Sequence, residues 1–330
     1  MGKLRKQKSD SDYTVKEVCK LLGASKQAYY KHDDNAAMRR LAQEEFARQY
    51  ITETRGQAPG IGGAKIWEMY IKDFGEENAI GRDRFCDIYA SMGLKLRKKK
   101  RGVKTTDSTH GLPTYPNLVK QLIPERFGAI IVGDITYIPI ENEDGSREFC
   151  YLNLIMDSHA KIIIGHKVAS TLEREYSLMA LQKAYAFLVS HGVDTHHTIH
   201  HTDRGVQYAS CDYVEQLRLY GMSISMTENG NPKDNPQAER INETIKNQLL
   251  KGMVFHSIEE VEAAVEKAIE FYNKRRPHDS LDGLTPMEAM TYVGRFKRRW
   301  KSWREEAIDA LSDEKNKTTD EKKRGDGSAA

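Results

Sequence analysis

The sequence is short of cysteine. Its four, Cys19, Cys86, Cys150 and Cys211, are dispersed with no Cys-x-x-Cys pair. That spacing argues against a disulfide framework or a structural zinc site and fits a reducing cytoplasm. No apolar run approaches the roughly 18 residues a membrane span needs, and no signal peptide opens the chain, so a membrane partner is not expected. An excess of either charge is missing too: 51 Lys and Arg stand against 48 Asp and Glu, a formal net charge of +3. Such a small total does not require nucleic acid, so the distribution of charge carries more than its sum.

What is present is clustered. The segment 95–104 holds seven basic residues in ten positions, and 295–301 holds five in seven with Phe296 and Trp300 interleaved. An isolated charge run is as often a solvated arm as a binding face. Two runs flanking one candidate core favour DNA, with contacts expected at Lys98, Lys99, Lys100 and Arg101. The N-terminal third reads as helical. A helix over 14–22, a turn at Gly23 and a short helix over 25–31 have the order of a helix-turn-helix, and a second pair spans 63–72 and 81–92. Any small helical bundle can give the same pattern. The expected organisation is a helix-turn-helix-like segment (1–32), a second helical DNA-binding segment ending in the basic run (33–102), a linker (103–125), a core (126–292) and a basic then disordered tail (293–330).

Within the core, the pattern predicts strands at 129–140, 147–156, 161–168, 196–202 and 222–227, with helices at 172–190 and 211–220. Asp144-Gly145 supplies a hairpin turn. A further helix, 257–273, is expected to open with Ser257 and Glu260 as a capping box. The result is an α/β fold with a mixed five-stranded sheet and flanking helices, preceded by small all-α units.

Three acids stand out in that frame. Asp134 lies inside the first strand, where an isolated charge is costly unless it is neutralised, paired or bound to a cation; only Arg126 is basic among the ten residues before it. Asp203 follows a short strand and precedes Arg204-Gly205, at the strand-end position where open α/β sheets bind ligands. Glu239 opens a helix for which Asn235 supplies a cap and Pro236 a proline in the first turn, and whose buried stripe is Ile241, Ile245 and Leu249. Glu239, Asn242, Glu243 and Lys246 share another face. The acids are 69 and 36 positions apart in turn.

Converging carboxylates repel one another unless divalent cations intervene, and a pair of magnesium ions, with manganese as a substitute, would suit in-line phosphoryl transfer. Spacing alone leaves this even with chance among 48 acids. Asp157 and Asp234 are further candidates, each with a blander role as a turn or helix cap. His196, His197, His200 and His201 would alternate in a strand and so cannot share a tetrahedral zinc site without distortion. His201, on the side of Asp203, is expected to support the site or touch DNA.

The neighbouring residues add a resemblance. Asp-Ile-Thr-Tyr-Ile at 134–138, His-Thr-Asp-Arg-Gly-Val-Gln-Tyr at 201–208, Ser-Ile-Ser-Met-Thr-Glu-Asn-Gly at 223–230, Asp-Asn-Pro-Gln-Ala-Glu-Arg-Ile-Asn at 234–242 and Tyr-Asn-Lys-Arg-Arg-Pro-His-Asp-Ser-Leu at 272–281 occur in one order around the acids. They resemble the DDE transposases of the insertion sequence three family, in the second-frame product called OrfB, over roughly residues 12–292. The resemblance implies a ribonuclease-H-like integrase core, with Asp134, Asp203 and Glu239 as catalytic and metal-binding residues; which acid bridges the ions is open, with Asp134 the expected one. It implies DNA contacts at Lys246 and Arg240, and cleavage of element ends followed by joining of the 3′-hydroxyl to other DNA. Implied partners are terminal inverted repeats, target DNA, an upstream-frame product (OrfA) acting with or fused to this chain, and further copies on DNA; the implied location is the bacterial cytoplasm and nucleoid. The family often carries Trp before the first Asp, where this chain has Val132-Gly133. A DNA-binding regulator without catalysis, or a nuclease on the same fold, are the rival readings.

Overall fold

The computed structural model describes residues 14–31, 34–96, 112–228, 235–297 and 305–311. Lys98, Lys99, Lys100, Arg101 and Asp234, and the tail from residue 312, lie outside the described residues.

Helix α1 (Val15–Leu21) starts at a capping box: the Thr14 hydroxyl accepts from the Glu17 amide and the Glu17 carboxylate accepts from Thr14 N at 2.7 Å. Gly23, at φ +61°, turns the chain into α2 (Lys26–Lys31). A 24-residue helix, α3 (Asp34–Gln57), follows. The sequence pattern does not announce it, because its apolar signal is confined to the later turns, where Ala47 and Ile51 are fully buried; Met38 and Leu41 face solvent. Helices α4 (Gly63–Phe74) and α5 (Arg82–Ser91) agree with the second predicted pair. They bury Ile66, Met69 and Tyr70 from one and Phe85, Ile88 and Tyr89 from the other.

Five strands form one sheet in the order β3-β2-β1-β4-β5. β1 (Ile130–Glu141), β2 (Arg147–Asp157) and β3 (Ile163–Ala169) are antiparallel neighbours, while β4 (Ile199–Thr202) and β5 (Ser223–Met226) add in parallel beside β1. Parallel addition needs crossovers. Helix α6 (Arg174–Ser190) carries the chain from β3 to β4, and α7 (Val206–Ala209) and α8 (Cys211–Leu219) carry it to β5. Helix α9 (Pro236–Thr244) runs on through a π-helical turn, Ile245–Leu249, and is followed by α10 (Ile258–Lys274) and α11 (Pro286–Ala289).

The alternation of β1 splits the core in two. Ile130 and Val132 join a cluster that runs through Ile245, Leu249 and Val265 into Ala47, Ile51 and Phe85 of the helical region. Ile131 joins Leu181, Tyr213 and Leu217 on the opposite face. Helices α3–α5 therefore share one continuous apolar core with the sheet.

Three local expectations are corrected. The fourth strand starts at Ile199 and not at residue 196, because the Asp194 carboxylate accepts from His196 N at 3.1 Å and winds Thr195–His197 into a 3-10 turn. His196 and His197 thus leave the strand, and only His200 and His201 remain in it. Ser257 caps α10 by accepting from Glu260 N at 3.2 Å, but Glu260 accepts from His256 N at 2.8 Å, so the reciprocal half of a capping box is displaced by one residue. Asn235 does not cap α9 with its side chain; its amide nitrogen donates to the Gly133 carbonyl at 3.3 Å and ties the helix start to β1.

Candidate active site

Strand register brings the first two acids together. Parallel pairing sets Val132 opposite His201, and two further steps along both chains set Asp134 beside Asp203, just past the end of β4. Asp203 is held by a tight turn in which Gly205 N donates to its Oδ1 at 2.9 Å. Gly133 leaves room for a histidine before the first acid: a Cβ at that position would come within 3.2 Å of His200 Cε1.

Helix α9 delivers the third acid. Glu239 lies in its first turn, exposed, while Ile241, Ile245 and Leu249 are buried as expected. One turn on from Glu239, Asn242 donates from Nδ2 to Asp134 Oδ2 at 2.7 Å and fastens the helix to β1.

Burial first, then the charge of Asp203, raises the Asp134 carboxyl to about 7, with the Glu239 charge adding in the same direction and the Asn242 bond opposing it. Tyr208 is buried behind the acids; burial raises its phenol well above the ordinary value, with Tyr213 and both aspartates adding to the rise, so it stays protonated. Among the described residues, no three His, Cys, Asp or Glu side chains stand close enough to hold a metal as they are. The donor set is nonetheless chemically suited to a hard divalent cation: three carboxylates lie within electrostatic reach, their mutual repulsion is visible in the Asp134 shift, and the Asn242 Oδ1 is buried beside them without a partner.

The other candidate residues fall in different places. Lys246 is partly buried and its Nζ donates to Thr136 Oγ1 at 3.3 Å, on the same face of β1 as Asp134. Arg240 is exposed beside Glu239. His201 is 1% exposed and its Nδ1 lies 2.8 Å from Ser225 Oγ, linking β4 to β5. His200 pairs with the Tyr213 hydroxyl at 2.8 Å, and burial pushes it down to about 3, so it is a neutral core group. Asp157 accepts from the amides of Gly128, His159 and Ala160 at 2.9, 3.0 and 2.6 Å, which is the turn role its position favours.

Comparison with known proteins places this geometry. The chain matches an integrase core domain model over residues 124–232 and a second integrase core domain model over 220–286. It is 30% identical over 270 residues to a putative transposase for insertion sequence element IS986/IS6110 of Mycobacterium tuberculosis, covering 79% of this chain and 92% of that protein. The chain belongs to the insertion sequence three family of DDE transposases. The transposase InsF for insertion sequence IS3A of Escherichia coli is 26% identical over 289 residues, covering 85% of this chain and 95% of its own. Among solved structures, the HTLV-2 integrase catalytic core domain in complex with magnesium covers 50% of this chain and 97% of its own at 17% identity and a TM-score of 0.37. This transposase is a DNA-acting, DDE-type polynucleotidyl transferase with a ribonuclease-H-like core, of a class that works with divalent metal.

Three residues around the transposase site escape sequence reasoning. Helical spacing puts Asn242 on the Glu239 face, but its contact with Asp134 depends on how α9 packs. Tyr208 is visible only as part of the motif 201–208. Gln237, which accepts from Ser158 Oγ at 3.0 Å and Lys161 Nζ at 2.8 Å, gives no local signal.

Proposed function

We propose that Asp134, Asp203 and Glu239 are the catalytic carboxylates of this transposase and together hold two magnesium ions, with manganese able to replace them. The observation that carries the reading is geometric: the β1–β4 register sets Asp134 beside Asp203, and Asn242, one turn on from Glu239, donates to Asp134 at 2.7 Å, an arrangement whose burial and charge raise the Asp134 carboxyl. A bound divalent cation would supply Lewis acidity at the phosphoryl group and neutralise charge that builds there. The protein's own part is placement. β1 and β4 hold two acids in register, Gly205 and Asn242 fix their oxygens, and the exposed first turn of α9 lets Glu239 close on the site when DNA is present.

Lys246 and Arg240 flank Glu239 on α9 and its continuation and are proposed to bind DNA phosphate near the cleaved end, with Lys98, Lys99, Lys100 and Arg101 tracking the backbone farther out. Helices α1–α2 and α4–α5 are proposed as the recognition units for the terminal inverted repeats. The reaction frees a 3′-hydroxyl at the element end and directs it at target DNA, on the bacterial nucleoid, with the upstream-frame product as partner or fusion and with further copies of the chain. No helix among the described residues is long and apolar enough to cross a membrane.

The test is cleavage and joining of a labelled element end in magnesium, with and without the upstream-frame product, comparing the native chain with Glu239→Gln. The variant is expected to bind the end yet neither nick nor join it. Equal activity of the two proteins sinks the assignment of Glu239.

A further inference from the structure

Gln248 lies in the π-helical turn that continues α9, and both its backbone and its side chain are held from outside the helix. The last carbonyls of a helix have no partner within it. The carbonyl of Gln248 is taken by Gly60 N at 2.6 Å, and Gly60 belongs to the segment between α3 and α4 of the helical region. The Gln248 side-chain oxygen accepts from Arg276 Nε at 3.3 Å and Nη2 at 2.9 Å; Arg276 is itself 7% exposed, with its guanidinium 5.8 Å from the centre of the Tyr272 ring.

The approach at Gly60 is close enough to exclude any side chain. A Cβ there would lie 2.5 Å from the Asn247 carbonyl oxygen and 2.7 Å from Gln248 Cα, both backbone atoms that cannot swing aside. The turn it grips is unusual: Leu250 N donates to the Ile245 carbonyl at 2.8 Å, five residues back, a rare geometry that is frequent at functional sites. Lys246 is one of the five residues of this turn, and it reaches Thr136 on the Asp134 strand.

We propose that Gly60, with Gln248 and Arg276, is a clamp that positions Lys246. The helical region grips the π-turn, and the turn sets where the Lys246 ammonium stands relative to Asp134 and Glu239. Helices α3–α5 are then part of the catalytic architecture, whatever DNA they also touch. This inference rests on the reading of Asp134, Asp203, Glu239 and Lys246 given above.

A double-mutant cycle tests it. End cleavage by the full chain on labelled terminal DNA in magnesium is measured for Gly60→Ala, Lys246→Ala and the two combined, with Gly56→Ala as control because a Cβ at Gly56 meets nothing within 4 Å. Gly60→Ala is expected to slow cleavage about 10- to 100-fold with end binding retained, as displacements of about an ångström do. The double variant is expected to be no slower than Lys246→Ala alone, since the clamp acts through that lysine. Fully multiplicative effects, or a native rate for Gly60→Ala, overturn the proposal.

Should Gly60→Ala fail to fold, the paired change Gln248→Met with Arg276→Met removes donor and acceptor together, leaves no buried charge, and enters the same cycle with the same outcomes. Should Lys246→Ala leave no measurable rate, hydrogen exchange of the 245–250 amides decides: faster exchange in Gly60→Ala is expected, and native protection overturns the clamp. Glu239→Gln in the same assay separates the two readings. An active Glu239→Gln defeats the catalytic assignment, whereas an inactive one beside multiplicative effects defeats only the clamp.

Discussion

The sheet half of the site and the helix half are built differently. Asp134 and Asp203 stand side by side because two parallel strands are in register, and their oxygens are tied by Asn242 and Gly205. Glu239 sits exposed in the first turn of α9, and it acts on Asp134 through its charge. One half is fixed by backbone pairing and buries a carboxyl whose proton affinity is raised by burial and by neighbouring charge; the other meets solvent. On the proposed assignment, a site divided in this way binds metal weakly until the helix half closes, which couples assembly to the arrival of DNA.

Removing either half should cost the most. Asp134→Asn and Glu239→Gln should each lower end cleavage on the order of a thousandfold or more, measured as single-turnover nicking in magnesium. The halves separate on stability: Glu239→Gln removes only the last and smallest of the causes that raise Asp134 and should shift the melting temperature in chelator by less than Asp134→Asn, whose effect should depend on pH. Asn242→Ala, which cuts the tie between the halves but leaves every acid in place, should cost about 10- to 100-fold in cleavage or in magnesium affinity, as outer-sphere partners of metal ligands do. A native rate for Asn242→Ala would mean that the helix half is positioned by packing alone.

Stability effects come next. Asp157→Asn sets an amide against backbone N–H groups in a buried turn and should cost about 1–3 kcal/mol of unfolding free energy, with the cleavage rate per folded molecule unchanged. That outcome would separate two buried acids of the same sheet: Asp157 is satisfied by three backbone amides, whereas Asp134 is left in a repulsive field. A loss of cleavage in folded Asp157→Asn would erase the distinction.

The pH dependence sharpens the same contrast. The Asp134 carboxyl is raised from an ordinary value of 3.8 to about 7 in the fold. A raised acid favours the folded state below its unfolded value and loses that contribution as pH climbs through the folded one. In chelator, Asp134→Asn should therefore melt higher than the native protein at pH 8, on the order of 5 °C, and the gap should close toward pH 4. A gap that is constant with pH would mean that neither burial nor the charges of Asp203 and Glu239 raise the carboxyl.

Much of this is legible in the residues. β-branched runs mark β1 to β3, and the three acids draw notice because Asp134 puts a charge inside a strand, Asp203 stands at a strand end where open sheets bind ligands, and Glu239 opens a helix in a motif that follows them. Three features are not legible, for physical reasons. Helix α3 hides because its exposed half has no apolar stripe. The 3-10 turn at 195–197 depends on one Asp194 side chain overriding strand-like neighbours. The π-turn and its grip by Gly60 join residues 60 and 248, so distant in the chain that no local pattern reports the contact.

The most direct test is a manganese titration followed by the spectrum of the bound ion, on native protein, Glu239→Gln and Asp134→Asn, without DNA and then with a terminal duplex. The account predicts that Glu239→Gln keeps a weak ion between the two sheet acids, that Asp134→Asn keeps none, and that DNA tightens binding only in the native chain. Native-like binding by Asp134→Asn would contradict it.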